Sequence, residues 1–235
     1  MSLRFRHSFA NDFLHSAVLF AENAKSLEVE FSQKMKFPSS SKTIGHVSSD
    51  HKSFVIASII SSAAFLETAI NEFFKTIQDG ITDNIDYQHD RLPLTSKKNI
   101  ARFWGIRALN NAPALEKYNL ALFLAQKREF DKDGGLWKDV ALIINLRNEL
   151  IHYTPEWLTL MGEPTDKDKQ IAKKFAEPLK RKLTGPYTLN PLSGEGNPFF
   201  PDKCMSYGCA KWALDSSLKF TDEFFAKLDL KSPYR

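Results

Sequence analysis

Apolar positions along this chain recur at helical spacing, and no run alternates with the period of a strand. From about residue 8 to 35, Phe9, Phe13, Val18, Leu19 and Phe20 supply apolar contacts and Leu27 and Phe31 continue them, which predicts a first helix. Pro38 and the serines Ser39 to Ser41 break it. Segment 38–49 is Ser-rich, carries Gly45 and has little apolar content, so it reads as a loop. Asp50 then stands as N-cap of a long second helix ending near Asp79 and Gly80. Its stripe runs through Ile56, Ile59, Ile60, Ala63, Leu66, Ile70, Phe73, Phe74 and Ile77. Ser58, Ser61, Ser62, Ala63 and Ala64 leave room for another helix to come close.

Segment 81–95 reads as a connection. Two shorter helices follow, over about 96–109 with Ile100, Phe103, Trp104 and Ile106, and over about 113–126 with Leu115, Tyr118, Leu122 and Phe123. The second opens on Pro113, a residue favoured in the first helical turn. Asp131 to Gly135 is a turn. A strongly apolar helix then spans about 136–153, with Trp137, Val140, Ala141, Ile144 and Ile151 on one face and Leu142 and Ile143 alongside; Pro155 marks its end. Residues 166–183 predict a charged helix and 184–201 a Pro/Gly-rich loop. A last helix over 202–228 carries Cys209, Trp212, Ala213, Leu218, Phe220, Phe224, Phe225 and Leu228. The pattern implies an all-α helical bundle with helices 50–79 and 136–153 at its centre. No linker separates two cores, so one domain over 1–235 is expected, with a core over about 8–160 and a C-terminal extension over about 161–235.

Composition changes this picture little. The chain is 43% hydrophobic and 26% charged, ordinary for a globular protein, and its 19 Phe predict an aromatic core. A net charge of +4 admits a nucleic-acid partner without requiring one. The two cysteines are too few for a disulfide framework, and no Cys/His cluster has zinc spacing, so neither metal nor cofactor is expected. Met1 to Ala21 lacks the unbroken apolar stretch of a signal peptide, and no run of about 18 consecutive apolar residues predicts a membrane span. A cytoplasmic protein with no membrane partner is expected.

The candidate chemistry closes the apolar helix: Leu146-Arg147-Asn148-Glu149-Leu150-Ile151-His152-Tyr153. Arg, Asn and His are costly to bury without partners. Asn148 and His152 are four apart and stack on one helix face, so the amide can hydrogen-bond and orient the imidazole. Arg147 lies about 140° round the axis from His152, and its long side chain can reach the same cleft.

Arg147-Asn148, three further residues and His152 resemble the hallmark of the higher eukaryotes and prokaryotes nucleotide-binding (HEPN) domains: Arg, a polar residue directly after it, and His a few residues on. The resemblance covers helices 50–79 and 136–153 and stops at about residue 160. It implies a HEPN-like helical fold, a homodimer whose two motifs line one cleft, and metal-independent endoribonuclease activity of toxin or defence type. Its implied partners are RNA, a second copy of the chain and an antitoxin protein. In that setting His152 is the acid/base, Arg147 the phosphate clamp and Asn148 the orienter. Imidazole exchanges protons near neutral pH, and guanidinium forks onto phosphate oxygens.

A plainer reading stands beside it. Arg147 caps helix carbonyls or pairs with Glu149 or Glu67, and His152 favours the helix dipole. The chain is then a structural helical protein with no ligand; a non-catalytic HEPN-like nucleotide- or protein-binding module that uses the same cleft is the other alternative. Two residues are supporting candidates: Glu67, one turn before Asn71 on the second helix, as a partner of Arg147, and Tyr153 as a base-stacking or core aromatic. Lys173, Lys174, Lys180, Arg181 and Lys182 form the most basic run, a candidate phosphate track. Interleaved Asp166, Asp168 and Glu177 make it read more simply as a solvated helix face. Cys204 and Cys209 read as packing thiols. Gly194-Glu195-Gly196 lacks the helix and Lys-Ser/Thr of a phosphate loop. His7, His15, His46, His51 and His89 show no metal-ligand spacing.

Overall fold

The computed structural model describes residues 7–34, 41–82, 91–153, 189–193 and 199–235. The helix expected over 166–183, most of the 184–201 loop, and the basic run Lys173, Lys174, Lys180, Arg181 and Lys182 lie outside the described residues. The protein is all-α. Helices α1 (Phe9–Lys34), α2 (Ser41–Thr82), α3 (Leu94–Trp104), α4 (Arg107–Asn110), α5 (Ala114–Leu124), α6 (Gly135–Ile151) and α7 (Tyr207–Lys227) follow in order, with a π-helical turn at Phe199–Lys203. No strand occurs among the described residues.

Three boundaries differ from the sequence expectation. Helix α2 begins at Ser41, so Asp50 lies inside it and Ser41 to Ser49 is not a loop. Ser and Thr lower helix propensity only by tenths of a kcal/mol, and extending a helix needs no new nucleation. The helix expected over 96–109 is two, because the chain turns at Gly105, where the Ile106 N–H bonds the Phe103 carbonyl. Helix α7 starts at Tyr207 rather than 202. There the Ser206 Oγ accepts the Cys209 N–H and caps the first turn.

The chain forms two compact units, each discontinuous in sequence: residues 1–14, 62–144 and 215–235, and residues 15–61 and 145–214. Helices α1, α2, α6 and α7 each contribute to both, so the division falls inside helices and no linker marks it.

In the first unit, Glu72 of α2 caps the start of α1 through the Ser8 hydroxyl and the Ala10 N–H. The α2 side chains Phe65, Leu66, Ile70 and Phe74 are buried with Ile100, Tyr118, Leu122, Val140, Ile143, Phe220 and Phe224. Aromatic rings dominate: Tyr118 meets Phe220 and Phe224 edge-on, Phe73 meets Phe224 edge-on, and Phe130 stacks on Phe220 at 4.2 Å. The Tyr118 hydroxyl donates to the Leu66 carbonyl at 2.9 Å, which satisfies it inside the core. Helix α7, within the stretch expected to be an extension, is therefore part of this core. Helices α5 and α7 end alike. Gln126 and Asp229 take positive φ, and the following N–H of Lys127 and Leu230 reaches back to Leu122 and Phe225.

In the second unit α1 turns small residues inward. Ala17, Ala21, Ala24, Glu28 and Phe31, at steps of four and three, are buried. The Ser58 hydroxyl of α2 donates to the Ala17 carbonyl at 2.8 Å, a bond that needs close backbone approach. Val18 and Leu19, expected to make apolar contacts, are exposed, as is Phe9 in the first unit. The alanine stripe, one step round the helix, lets α2 come nearer than those larger side chains would. The Glu28 carboxylate accepts the Tyr207 N–H at 2.6 Å and lies 2.8 Å from His51 Nε2, joining α1, α2 and the start of α7. Lys52 pairs with Asp202, and Asn190 bonds the Lys203 and Asp202 backbone.

Residues Ser49–Ile81 of α2 are long and apolar enough to cross a membrane by length and composition, yet 56% of the apolar window is buried within the protein, as in a core helix.

Asn119 holds the segment before α6. Its amide accepts the Phe130 N–H at 2.8 Å and donates to the Phe130 carbonyl at 3.2 Å, all buried. Asn119→Ala is expected to destabilise the protein by about 2–3 kcal/mol, because both Phe130 groups lose their partner. Urea unfolding measures this; a loss below about 0.5 kcal/mol would mean the segment is held otherwise.

Candidate functional site

The motif is carried by α6, and α6 starts at a tight turn. The Asp131 carboxylate accepts the Asp133 N–H, and its carbonyl accepts the Gly134 N–H at 3.0 Å. A Cβ at Gly134 would sit 3.0 Å from that carbonyl, so any larger residue would push the turn by a few tenths of an ångström. The helix then buries Trp137, Val140, Ile143 and Leu146. Burial advances in steps of three residues and so drifts about 60° round the helix at each step. Ile151, expected on the Trp137 face, has consequently turned to solvent and is 50% exposed.

This drift places the motif. Arg147, four residues after Ile143 and seven after Val140, ends the buried stripe and is half-buried. Arg147 and Glu149 are each engaged with a neighbour. Asn148 is half-buried on the side away from Leu146, with His152 one turn above it and exposed. The His152 N–H bonds the Asn148 carbonyl at 2.9 Å, carrying helical geometry one residue past the end of α6. The side-chain bond expected between Asn148 and the imidazole is not formed among the described residues; at this exposed position water competes for both groups. Tyr153 is also exposed, so it is not a core aromatic of its unit.

Arg147 and Asn148 on the last turn of α6, and His152 and Tyr153 just beyond it, thus stand together in the second unit. Glu67 and Asn71 stand on the part of α2 that belongs to the first unit, where they meet a residue the sequence reading missed. Lys117 is buried, and its ammonium donates to Asn71 Oδ1 at 2.9 Å and to the Asn110 carbonyl at 2.8 Å. It lies 5.7 Å from the Trp104 ring, which stacks on Phe74. Burial lowers the Lys117 pKa, and the Glu67 charge opposes that shift in part. The signal was present but faint: Lys117 stands four before Ala121 and seven before Leu124, on the apolar stripe of α5.

No group of three or more metal-ligating side chains converges among the described residues. His7 pairs with Asp12. Cys204 and Cys209 are buried free thiols; the Cys204 thiol donates to the Pro201 carbonyl, and burial, then the neighbouring Cys209, pushes its pKa well up.

Two outcomes follow for these buried groups. Both thiols are expected to react with a disulfide reagent at least about 100-fold slower in the folded protein than in denaturant. Fast labelling without denaturant would show that their pocket opens. For Lys117, the folded pKa lies below the unfolded value of 10.5, so between the two the unfolded chain binds more protons and stability rises with pH. Below the folded pKa the contribution is constant. Lys117→Met should remove that alkaline rise, and urea unfolding from neutral pH to 10.5 checks it; parallel curves for the two proteins would contradict the assignment.

Compared with known proteins, the chain matches no protein family, no curated protein and no solved structure.

Proposed function

We propose that the protein is a HEPN-like, metal-independent endoribonuclease of toxin or defence type, acting in the cytoplasm through the last turn of α6. The observation that carries this reading is the placement of His152: its imidazole is exposed one turn above Asn148, and Arg147, about 140° round the same helix, ends the buried stripe. An open imidazole can take the proton of a ribose 2′-OH as that oxygen attacks the adjacent phosphorus. The 5′-oxygen leaves with a proton from a second acid, giving a 2′,3′-cyclic phosphate and a 5′-hydroxyl. Arg147 would bear the charge that develops on the phosphoryl oxygens. A homodimer with two motifs across one cleft supplies both the acid and the base, and an antitoxin protein would act by covering that cleft.

One observation favours a second reading, a non-catalytic nucleotide- or protein-binding module. No side-chain bond from Asn148 orients the imidazole, and Arg147 is already engaged.

RNA cleavage in EDTA separates the two. The folded His152→Ala and Arg147→Ala proteins are expected to lose about 10²–10⁴-fold in rate relative to the unaltered chain. Equal cleavage by all three proteins would trace the activity to a contaminant and sink the proposal. No cleavage by any of them, across several RNAs, would select the binding module.

A further inference from the structure

The longest acid-free stretch around the short helices runs from Arg91 to Leu115 and carries five cations, Arg91, Lys97, Lys98, Arg102 and Arg107. The fold sorts them. Helix α3 buries Ser96 and Ile100 and exposes Thr95, Lys98, Asn99 and Arg102. Those four exposed positions follow the spacing i, i+3, i+4, i+7, so they form one continuous polar face. Lys98 and Arg102 stand one turn apart, about 6 Å along the axis. Past the turn at Gly105, Arg107 is exposed at the start of α4, which packs on α3.

Among the described residues Lys98, Arg102 and Arg107 form no ion pair. Two described carboxylates of the same unit have other partners: Glu116 is held by Lys132, and Asp229 is held by Lys127 with Arg91 also acting on it. Lys97 is engaged and only half-exposed, so it belongs to the fold rather than to this face. Leu94 and Ile106 are exposed at the two ends of the face, at 57% and 48%.

From this we infer that the outer face of α3 with Arg107 is a docking surface for single-stranded RNA. The inference rests on RNA being the substrate and adds where its backbone is held. Exposed guanidinium and ammonium groups on one helix face meet successive phosphates. Exposed apolar side chains beside them meet unstacked bases, which a duplex does not offer. Asn99 and Thr95 supply polar contacts to the sugar–phosphate chain between the cations.

The test is binding, kept apart from cleavage. In the full-length His152→Ala protein, fluorescence anisotropy with a labelled single-stranded RNA gives Kd across a salt series. Adding Lys98→Gln, Arg102→Gln and Arg107→Gln together is expected to weaken Kd at least about tenfold and to flatten the log Kd against log salt slope by about 2, close to 0.7 per lost contact. A control triple, Lys138→Gln, Lys219→Gln and Lys231→Gln, removes the same charge from other exposed sites and is expected to stay within about twofold of the parent. Equal affinity in parent and α3 triple, or equal losses in both triples, overturns the inference and leaves the face to an acidic protein partner. No RNA binding by the parent at low salt overturns it as well. The cleavage assay reports separately. RNA cleavage with unchanged binding by the α3 triple defeats this surface alone. Binding through α3 without His152-dependent cleavage defeats the ribonuclease reading alone.

Discussion

Burial of α2 is the constraint on which the rest of the structure depends. In the first unit its buried positions, from Ser62 to Ile77, span about half its circumference. A helix this apolar cannot rest on a single neighbour. Alanines and Glu72 bonds bring in α1, aromatic rings from α5 and α7 cover a second side, and Trp104 of α3 stacks on Phe74. A fully buried Phe, Leu or Ile contributes roughly 1.5–3 kcal/mol, so Phe65, Leu66, Ile70 and Phe74 together outweigh much of a typical net stability of about 5–15 kcal/mol.

Several polar groups carried inward by the packing find individual partners. The Tyr118 hydroxyl finds a carbonyl of α2, the Lys117 ammonium finds Asn71 and the Asn110 carbonyl, and the Ser58 hydroxyl finds Ala17. In the second unit Glu28 serves both His51 and the first N–H of α7. An unmatched buried donor costs about 1–3 kcal/mol, so each pair also penalises slippage of one helix along another. The rings could pack in several registers; these bonds select one.

The same packing decides where chemistry is available. The buried stripe of α6 drifts round the helix and runs out at Leu146, so one turn presents a half-buried Arg147 on one side and an exposed His152 on the other. Helix α3 is fully buried only at Ser96 and Ile100, and Lys98 and Arg102 stand in water. In both places reactive or charged groups stand at the margin of the apolar surface, held by helices but reachable. Lys117 is the contrast: an equally charged group placed on the covered side of α5 becomes part of the core.

How much of this was legible follows from what helical periodicity encodes. The all-α class, the existence of α1, α2, α5, α6 and α7, and the position of the Arg147–His152 motif at a helix end could be read from the chain, because apolar spacing and Pro or Gly breaks act locally. The inward face of α1 could not. Val18 and Leu19 are more apolar than Ala17 and Ala21, and only the proximity of α2 makes small residues the better fit. The start of α2 was hidden because Ser-rich sequence weakens a helix without stopping one. The burial of Lys117, the exposure of Ile151 and the division of the chain within its helices were set by which surfaces meet in space. The sequence by itself determined that the chain is helical and set the Arg147–His152 motif at a helix end, since those depend on neighbours along the chain. The tertiary structure decided which face of each helix is covered, since that depends on neighbours far away in it.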